Sequence, residues 1–475
     1  MNRREFVRLA ASAAMARPGY RWPVRALAGG ADLALLLTGG RLFRDGSWRA
    51  EDLGIDAAGR LRFGTAMQAR QTLDLSGKVI APGFIDVLAD NGENPAVTFP
   101  IFEKYKVSDG VTTALQMHGG SANSASYYER VGRSPHAIHY GVSTFVMGIR
   151  NRISSQAGRL RRVEQNLAEG ALGVSHSLEY QPAPFEELAE YAKLAQKYER
   201  PFFLHLRYSS KERELEGVDE AIRLARASGA RLHIAHLHST GGTFHMEAAL
   251  ERIRGGIAEG LALTTCVYPY SYWATYLSSK RFDPGWQDRY GISYGDLRLV
   301  GSTERLTAAS FGRYRKTGVL VAVPEGAMPF ERTLDLALAE DFCLIGSDGG
   351  IQKEPRANSH PRGAGCFSSA IRYALDRGMP LERMLDKMTR LPRELMRPAL
   401  QDRGVLEEGA AADLTIFDPR TIRSNATVEN PNQFASGVEL VLVDGRVAYR
   451  PGQEEALLGK PVRLAPASWA PSGAR

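Results

Sequence analysis

Cysteine is scarce in this chain: Cys266, Cys343 and Cys366 are the three in 475 residues. They are too few for a disulfide framework, and their spacing matches no zinc motif. Cys266 and Cys343 fall inside apolar runs, where a buried structural thiol is expected. No apolar run reaches the length of about 20 residues that a membrane-spanning helix needs. An excess of one charge is also largely missing. The formal charge is +7, but residues 1–28 hold six arginines against one glutamate, a net of +5. The remaining +2 gives no case for a nucleic-acid partner.

What is present begins with those 28 residues. Arg3-Arg4 resembles a twin-arginine motif, a short weakly apolar segment follows at Leu9–Ala16, and Ala26-Leu27-Ala28 has the small-x-small form of a cleavage site. Occurring in that order, they predict an exported, periplasmic protein; a cytoplasmic protein with a basic N-terminus is the alternative.

The length suits a large barrel and a second, smaller domain. Short segments punctuated by Gly39-Gly40, Asp45-Gly46 and Ala58-Gly59 fill residues 31–78 and read as strands joined by tight turns. From residue 79 to about 400, apolar runs alternate with helical patterns. Eight runs are strand candidates: 81–89, 111–117, 141–148, 171–175, 201–206, 231–237, 261–268 and 342–347. The first six recur at roughly 30-residue intervals, the length of one βα unit, which predicts an α/β fold of the (β/α)8 TIM-barrel type. The interval before the eighth is much longer. Residues 271–335 therefore hold an excursion, aromatic-rich at first, of the size of a lid or inserted subdomain.

Active-site residues of such barrels stand at the C-terminal ends of strands. Strand five ends at His205, strand six contains His236, and strand eight leads into Asp348. His205 and His236 are one βα unit apart and would stand at the same height. Two imidazoles with a carboxylate across the mouth make a zinc site with open positions. A zinc there would lower the pKa of a bound water to about 7, and Asp348 would take its proton and pass it to a leaving nitrogen. His233, three residues before His236, should point the other way and pack against helices. His238 shares the parity of His236 and should face the cavity.

Pro82-Gly83-Phe84-Ile85-Asp86 resembles the first barrel strand of the metal-dependent amidohydrolases. Residues 404–419 and 439–447 resemble their closing segments, which implies a β-sandwich built from residues 29–80 and 401–455 beside a barrel spanning 81–400. Gly173–Pro182 with Tyr180, His205-Leu206-Arg207, Ile234-Ala235-His236, Tyr268-Pro269-Tyr270, Gly346-Ser347-Asp348-Gly349 and His360-Pro361-Arg362 resemble, in that order, elements of the N-acyl-D-amino-acid deacylase (D-aminoacylase) branch. The resemblance implies that His205 and His236 are metal ligands and Asp348 is the catalytic acid/base. It implies that Tyr268 hydrogen-bonds the substrate carbonyl or the developing oxyanion. It also implies that Arg362 binds the substrate's α-carboxylate, with Tyr180, Arg207 and His238 around the substrate.

The departures are as informative. The family's first-strand His-x-His is replaced by Leu88 and Asp90, its strand-two cysteine aligns with Gly119, and a lysine two residues after the strand-six ligand is replaced by His238. A rebuilt site is expected, with one zinc per chain held by His205, His236 and one or two of His118, Asp90 and Asp348. The reading that follows is hydrolysis of a linear amide in a small acylated amine, foremost an N-acyl-D-amino acid. The alternatives are a cyclic-amide hydrolase on the same fold, or an exported, non-catalytic binding protein on an amidohydrolase scaffold.

Overall fold

The computed structural model describes residues 24–26, 33–64, 66–89, 95–317, 321–350 and 360–464. Apart from the strand Val24–Ala26, the expected leader lies outside the described residues, and so does Asp90.

Every one of the eight apolar runs contains a strand. These are β1 (Phe84–Asp86), β2 (Val111–Ser121), β3 (His139–Phe145), β4 (Val174–Ser177), β5 (Phe202–His205), β6 (Leu232–Ile234), β7 (Leu263–Val267) and β8 (Cys343–Ile345). They form one parallel sheet in chain order. A parallel bridge between Ala89 and Gly349 joins its two edges, so the sheet is a closed TIM barrel. Strand alternation sorts the apolar residues into two layers. Ile85, Leu115, Met117, Phe203, Ala235, Cys266 and Leu344 meet in one cluster inside the barrel. Phe84, Ala114, Phe202, Leu204, Ile234 and Ile345 belong to a second cluster shared with the helices outside. Leu88 joins the inner cluster, where an apolar side chain needs no hydrogen-bond partner.

Beside the barrel lies a β-sandwich. Its six-stranded sheet runs 446–449, 438–443, 414–417, 79–82, 41–44, 47–49, so C-terminal and N-terminal strands pair directly. A five-stranded sheet, 24–26, 69–74, 33–38, 53–56, 61–62, packs on it. Leu37, Ile55, Leu42, Ile80, Leu414 and Leu442, from both sheets, share one core. Where sandwich and barrel meet, His139, Asp413 and Asp444 bring three donor atoms together. Arg403 pairs with both aspartates and Lys460 lies 2.6 Å from Asp444. The cluster is thus a joint whose aspartates are paired with cations.

The excursion before β8 is a small subdomain. Strands 275–276, 321–324 and 297–299 make a three-stranded antiparallel sheet. Trp273, Phe282, Trp286, Tyr290 and Phe311 form its core. The early run of aromatics is therefore the packing that lets this segment fold over the barrel mouth.

Under β1 lies a buried ion pair. Lys106, near the C-terminus of the helix Pro95–Ser108, places Nζ 2.7 Å from Asp86 Oδ2 and donates to Ser347 Oγ at 2.7 Å. Both ion-pair side chains are fully buried. Asp86 also accepts from the Ser347 N–H at 3.0 Å, which ties β1 to the residue preceding Asp348. Removing one partner strands a buried charge. Lys106→Met should lower stability by about 3–5 kcal/mol, while Asp86→Leu/Lys106→Met recovers most of that loss. Denaturant midpoints of the two variants check this; equal midpoints would show that the pair is dispensable.

Candidate metal centre and substrate pocket

The strand ends converge on a cavity of about 980 Å³ whose wall includes His118, Tyr180, His205, His236, Asp348 and Arg362. His205 closes β5. His118 comes from the far end of β2, where Gly119 and Gly120 follow. Gly120 has φ +75°, and a Cβ there would meet Ser143 Oγ at 2.2 Å, so a glycine is needed for the strand to turn in this space. His236 and Asp348 both adopt left-handed backbone conformations, with φ 31° and 47°. Non-glycine residues hold such angles when the surrounding structure enforces them, commonly at functional sites. Here the His236 N–H is held at 3.2 Å by Cys266 Sγ.

His118, His205 and His236 each offer one nitrogen, and the three lie within 4.8 Å of one another. His205 Nδ1 and His118 Nε2 are 3.4 Å apart, close to the ~3.3 Å that separates two nitrogens bound about 2.05 Å from a tetrahedral zinc. Asp348 faces the same space, with its oxygens 3.9 Å from His118 Nε2 and 3.8 Å from His236 Nε2. Burial holds His118 down to about 4 despite the nearby Asp348 carboxylate, and pushes His236 well below its ordinary value, with His205 and His118 adding to the effect. Neutral imidazoles are the form that binds metal. His205 Nε2 meets Glu179 Oε2 at 2.9 Å, so this nitrogen carries the hydrogen and Nδ1 is left with its lone pair. His236 Nδ1 meets Ser239 Oγ at 2.9 Å, and that hydroxyl also donates to the His236 carbonyl at 3.0 Å. Two of the three imidazoles have their outer nitrogens organised, while the outer Nδ1 of His118 has no partner among the described residues; the three converging nitrogens fit a metal ion, with Asp348 beside them.

Arg362 sits across the cavity. It is 3% exposed, its Nη2 lies 2.7 Å from Asp348 Oδ2, and its guanidinium lies 4.4 Å from the centre of the Tyr268 ring. Its Nε and Nη1 are buried without a hydrogen-bond partner among the described residues. Burial alone would lower its pKa, but Asp348 and then Tyr268 raise it, so the group is a fixed cation. Tyr180 lines the cavity edge-on to the His205 ring and donates to Thr275 Oγ1 at 3.3 Å. Tyr268 is fully buried behind Arg362, and its hydroxyl has no partner at hydrogen-bonding distance among the described residues.

Three expectations need correction. Arg207 does not join the site: Glu220 grips it through two bonds of 3.0 and 3.1 Å, and it lines a separate surface groove. His238 does not face the cavity. It is fully buried, edge-on to the Tyr268 ring at 4.1 Å, because β6 ends at Ile234 and the turn at His236 breaks strand alternation. For the same reason His233 does not pack against the outer helices. It bonds Thr264 at 2.9 Å and stacks near Phe203 in the inner layer. Sequence reasoning missed Glu179, Ser239, Arg281 and Tyr290. Glu179 adjoins Tyr180 in a segment already singled out, but only tertiary contact reveals its partner.

The chain is similar to known proteins in sequence and in fold. The model of the amidohydrolase family matches residues 331–449. N-acyl-D-glutamate deacylase of Alcaligenes xylosoxydans xylosoxydans is 28% identical over 455 residues, covering 85% of this chain and 91% of that protein. D-aminoacylase of the same organism is 28% identical over 475 residues, covering 90% and 96%. The crystal structure of N-acyl-D-glutamate deacylase from Bordetella bronchiseptica, complexed with zinc and a phosphonate mimic of the tetrahedral intermediate, superposes with a TM-score of 0.75 at 25% identity, covering 91% of this chain and all of that one.

The buried histidines also set an acid limit on folding. Burial holds His176 at about 4 and pushes His233 and His238 down to about 3. The unfolded chain, with histidines near 6.5, binds more protons over that interval. Stability of the metal-free protein should therefore fall steadily as pH drops from about 6.5 towards 4. A denaturation midpoint that stays flat across that range would contradict buried neutral imidazoles.

Proposed function

We propose that this chain, which belongs to the amidohydrolases and is related in sequence to N-acyl-D-amino-acid deacylases, hydrolyses the amide bond of an N-acyl-D-amino acid at the barrel mouth. The observation that carries the reading is the meeting, in one cavity, of three converging imidazoles, Asp348 and a buried arginine, two of whose donors lack partners among the described residues. The relatives' names support the D-amino-acid class, and Arg362 supports a substrate with a free carboxylate.

His118, His205 and His236 would hold the metal, foremost one zinc per chain. When bound, such a metal polarises the amide carbonyl and makes water acidic enough to lose a proton near neutral pH. The chain's own groups do the rest. Arg362 would take the substrate carboxylate on Nε or Nη1 together with the adjacent Nη2, a fork that a planar guanidinium provides and an ammonium does not. The contact of Nη2 to Asp348 Oδ2 fixes the distance between carboxylate and proton carrier. Asp348 receives the proton of the attacking water and returns it to the amine nitrogen as the C–N bond breaks, so one carboxylate serves as base and then acid. Tyr268, expected at the carbonyl oxygen, is fully buried and not among the cavity-lining residues; its ring supports the Arg362 guanidinium at 4.4 Å. Tyr180 closes the side of the cavity against the His205 ring.

The reading is tested on protein purified without added metal. Elemental analysis should find about one zinc per chain, lost in His205→Ala/His236→Ala. Asp348→Asn should retain the metal and lose at least about a hundredfold in kcat on a panel of N-acyl-D-amino acids. A wild-type protein that takes up no metal even when zinc is supplied, or normal turnover by Asp348→Asn, sinks the mechanism. Arg362→Lys should raise KM more than it lowers kcat, because it removes the paired donors while keeping the charge. Equal kinetics would place the substrate carboxylate elsewhere.

A further inference from the structure

Glu179 is a carboxylate with almost no access to solvent, its side chain only 6% exposed, and it has three polar side chains bonded to it. Oε2 accepts from His205 Nε2 at 2.9 Å. Arg281 grips it through two bonds, Nε to Oε1 at 2.8 Å and Nη2 to Oε2 at 2.9 Å. Tyr290 donates its hydroxyl to Oε1. Glu179 belongs to the loop after β4, whereas Arg281 and Tyr290 belong to the inserted subdomain. Arg281 reaches further: Nη2 also donates to the Ser239 carbonyl at 3.3 Å, and the Ser239 hydroxyl bonds His236 Nδ1. One arginine of the insertion therefore touches the outer partners of two of the three converging histidines. Arg281 is 3% exposed and its guanidinium lies 4.3 Å from the centre of the Trp273 ring, so it is fixed by the insertion's own core.

We infer that Glu179 is a positioning residue for His205, and that the inserted subdomain, through Arg281 and Tyr290, holds it in place and so sets the metal affinity of the barrel. This rests on the metal-dependent reading above. The physical argument has two steps. A carboxylate on the outer nitrogen of a metal-ligating histidine fixes both its tautomer and its ring orientation, and losing such a partner typically costs 10–100-fold in metal affinity. A carboxylate this deeply buried stays ionised only if it is paired. Among the described residues the barrel partner of Glu179 is His205, and the guanidinium comes from the insertion. A segment otherwise suited only to cover the cavity is thereby part of the metal site's support. Its arginine acts without touching the ion.

The test is zinc affinity, measured by chelator competition on the full chain for wild type, Glu179→Gln and Arg281→Met. Glu179→Gln should bind zinc about 10–100-fold more weakly. Arg281→Met should lose affinity in the same direction although it alters no ligand or direct partner of His205. If the network merely staples the insertion down, both variants will lose thermal stability or expose residues 271–335 to protease while binding zinc as wild type does, and the inference is overturned. Should Glu179→Gln fail to fold, Tyr290→Phe removes a single hydrogen bond to the carboxylate. It should weaken zinc binding about threefold, and an unchanged affinity there counts equally against the proposal. The two failures remain distinct. A wild type that binds no zinc removes the functional reading and this inference with it. A zinc-binding wild type with unaltered variants removes this inference alone.

Discussion

Closure of the barrel is the constraint from which the site follows. Parallel pairing from β1 round to β8, completed where Ala89 meets Gly349, places the C-terminal ends of all eight strands on one rim. Residues separated by more than 200 positions, such as His118 and Asp348, are within 4 Å there. None of them attracts the others strongly enough to assemble the cluster alone. Buried imidazoles are costly polar groups, and the apolar inner layer beneath them bears that cost. Leu115, Phe203, Cys266 and Leu344 fill the space under the rim.

The charges around the rim are arranged in nested pairs. Asp86 is neutralised by Lys106 and holds the residue before Asp348. Asp348 is paired with Arg362. Glu179 is paired with Arg281. Burial would raise Glu179 into its neutral form, but Arg281 and His205 outweigh it and hold the carboxyl at about 2. Each acid is thus paired with a cation from a different element, and Glu179 in turn aims the His205 imidazole. Leu88 adds no polar group to the rim. The apolar side chain joins the inner layer, and His118 from the neighbouring strand contributes a nitrogen at 3.4 Å from His205.

Much of this was legible in the chain itself. The eight apolar runs and their 30-residue rhythm, the strand-end histidines His205 and His236, and Asp348 after its Gly-Ser step are local features, and local features survive without coordinates. His233 and His238 were assigned by strand parity, and parity holds only while the strand continues; Arg207 was placed by resemblance to a family element. β6 stops at Ile234, two residues before His236 turns through a left-handed conformation, and everything beyond follows the turn. Arg207 lies two residues past the end of β5 and is drawn to Glu220 on the following helix.

By itself, then, the sequence determined the architecture and the candidate ligands on β5 and β6, because periodicity and turn chemistry act over a few residues. Only the tertiary structure decided that His118 completes the imidazole triad, that two donors of Arg362 lack partners among the described residues, and that Glu179 is shared between His205 and an arginine 102 positions later. Those outcomes depend on burial, and burial is set by which distant segments the closed barrel brings into contact.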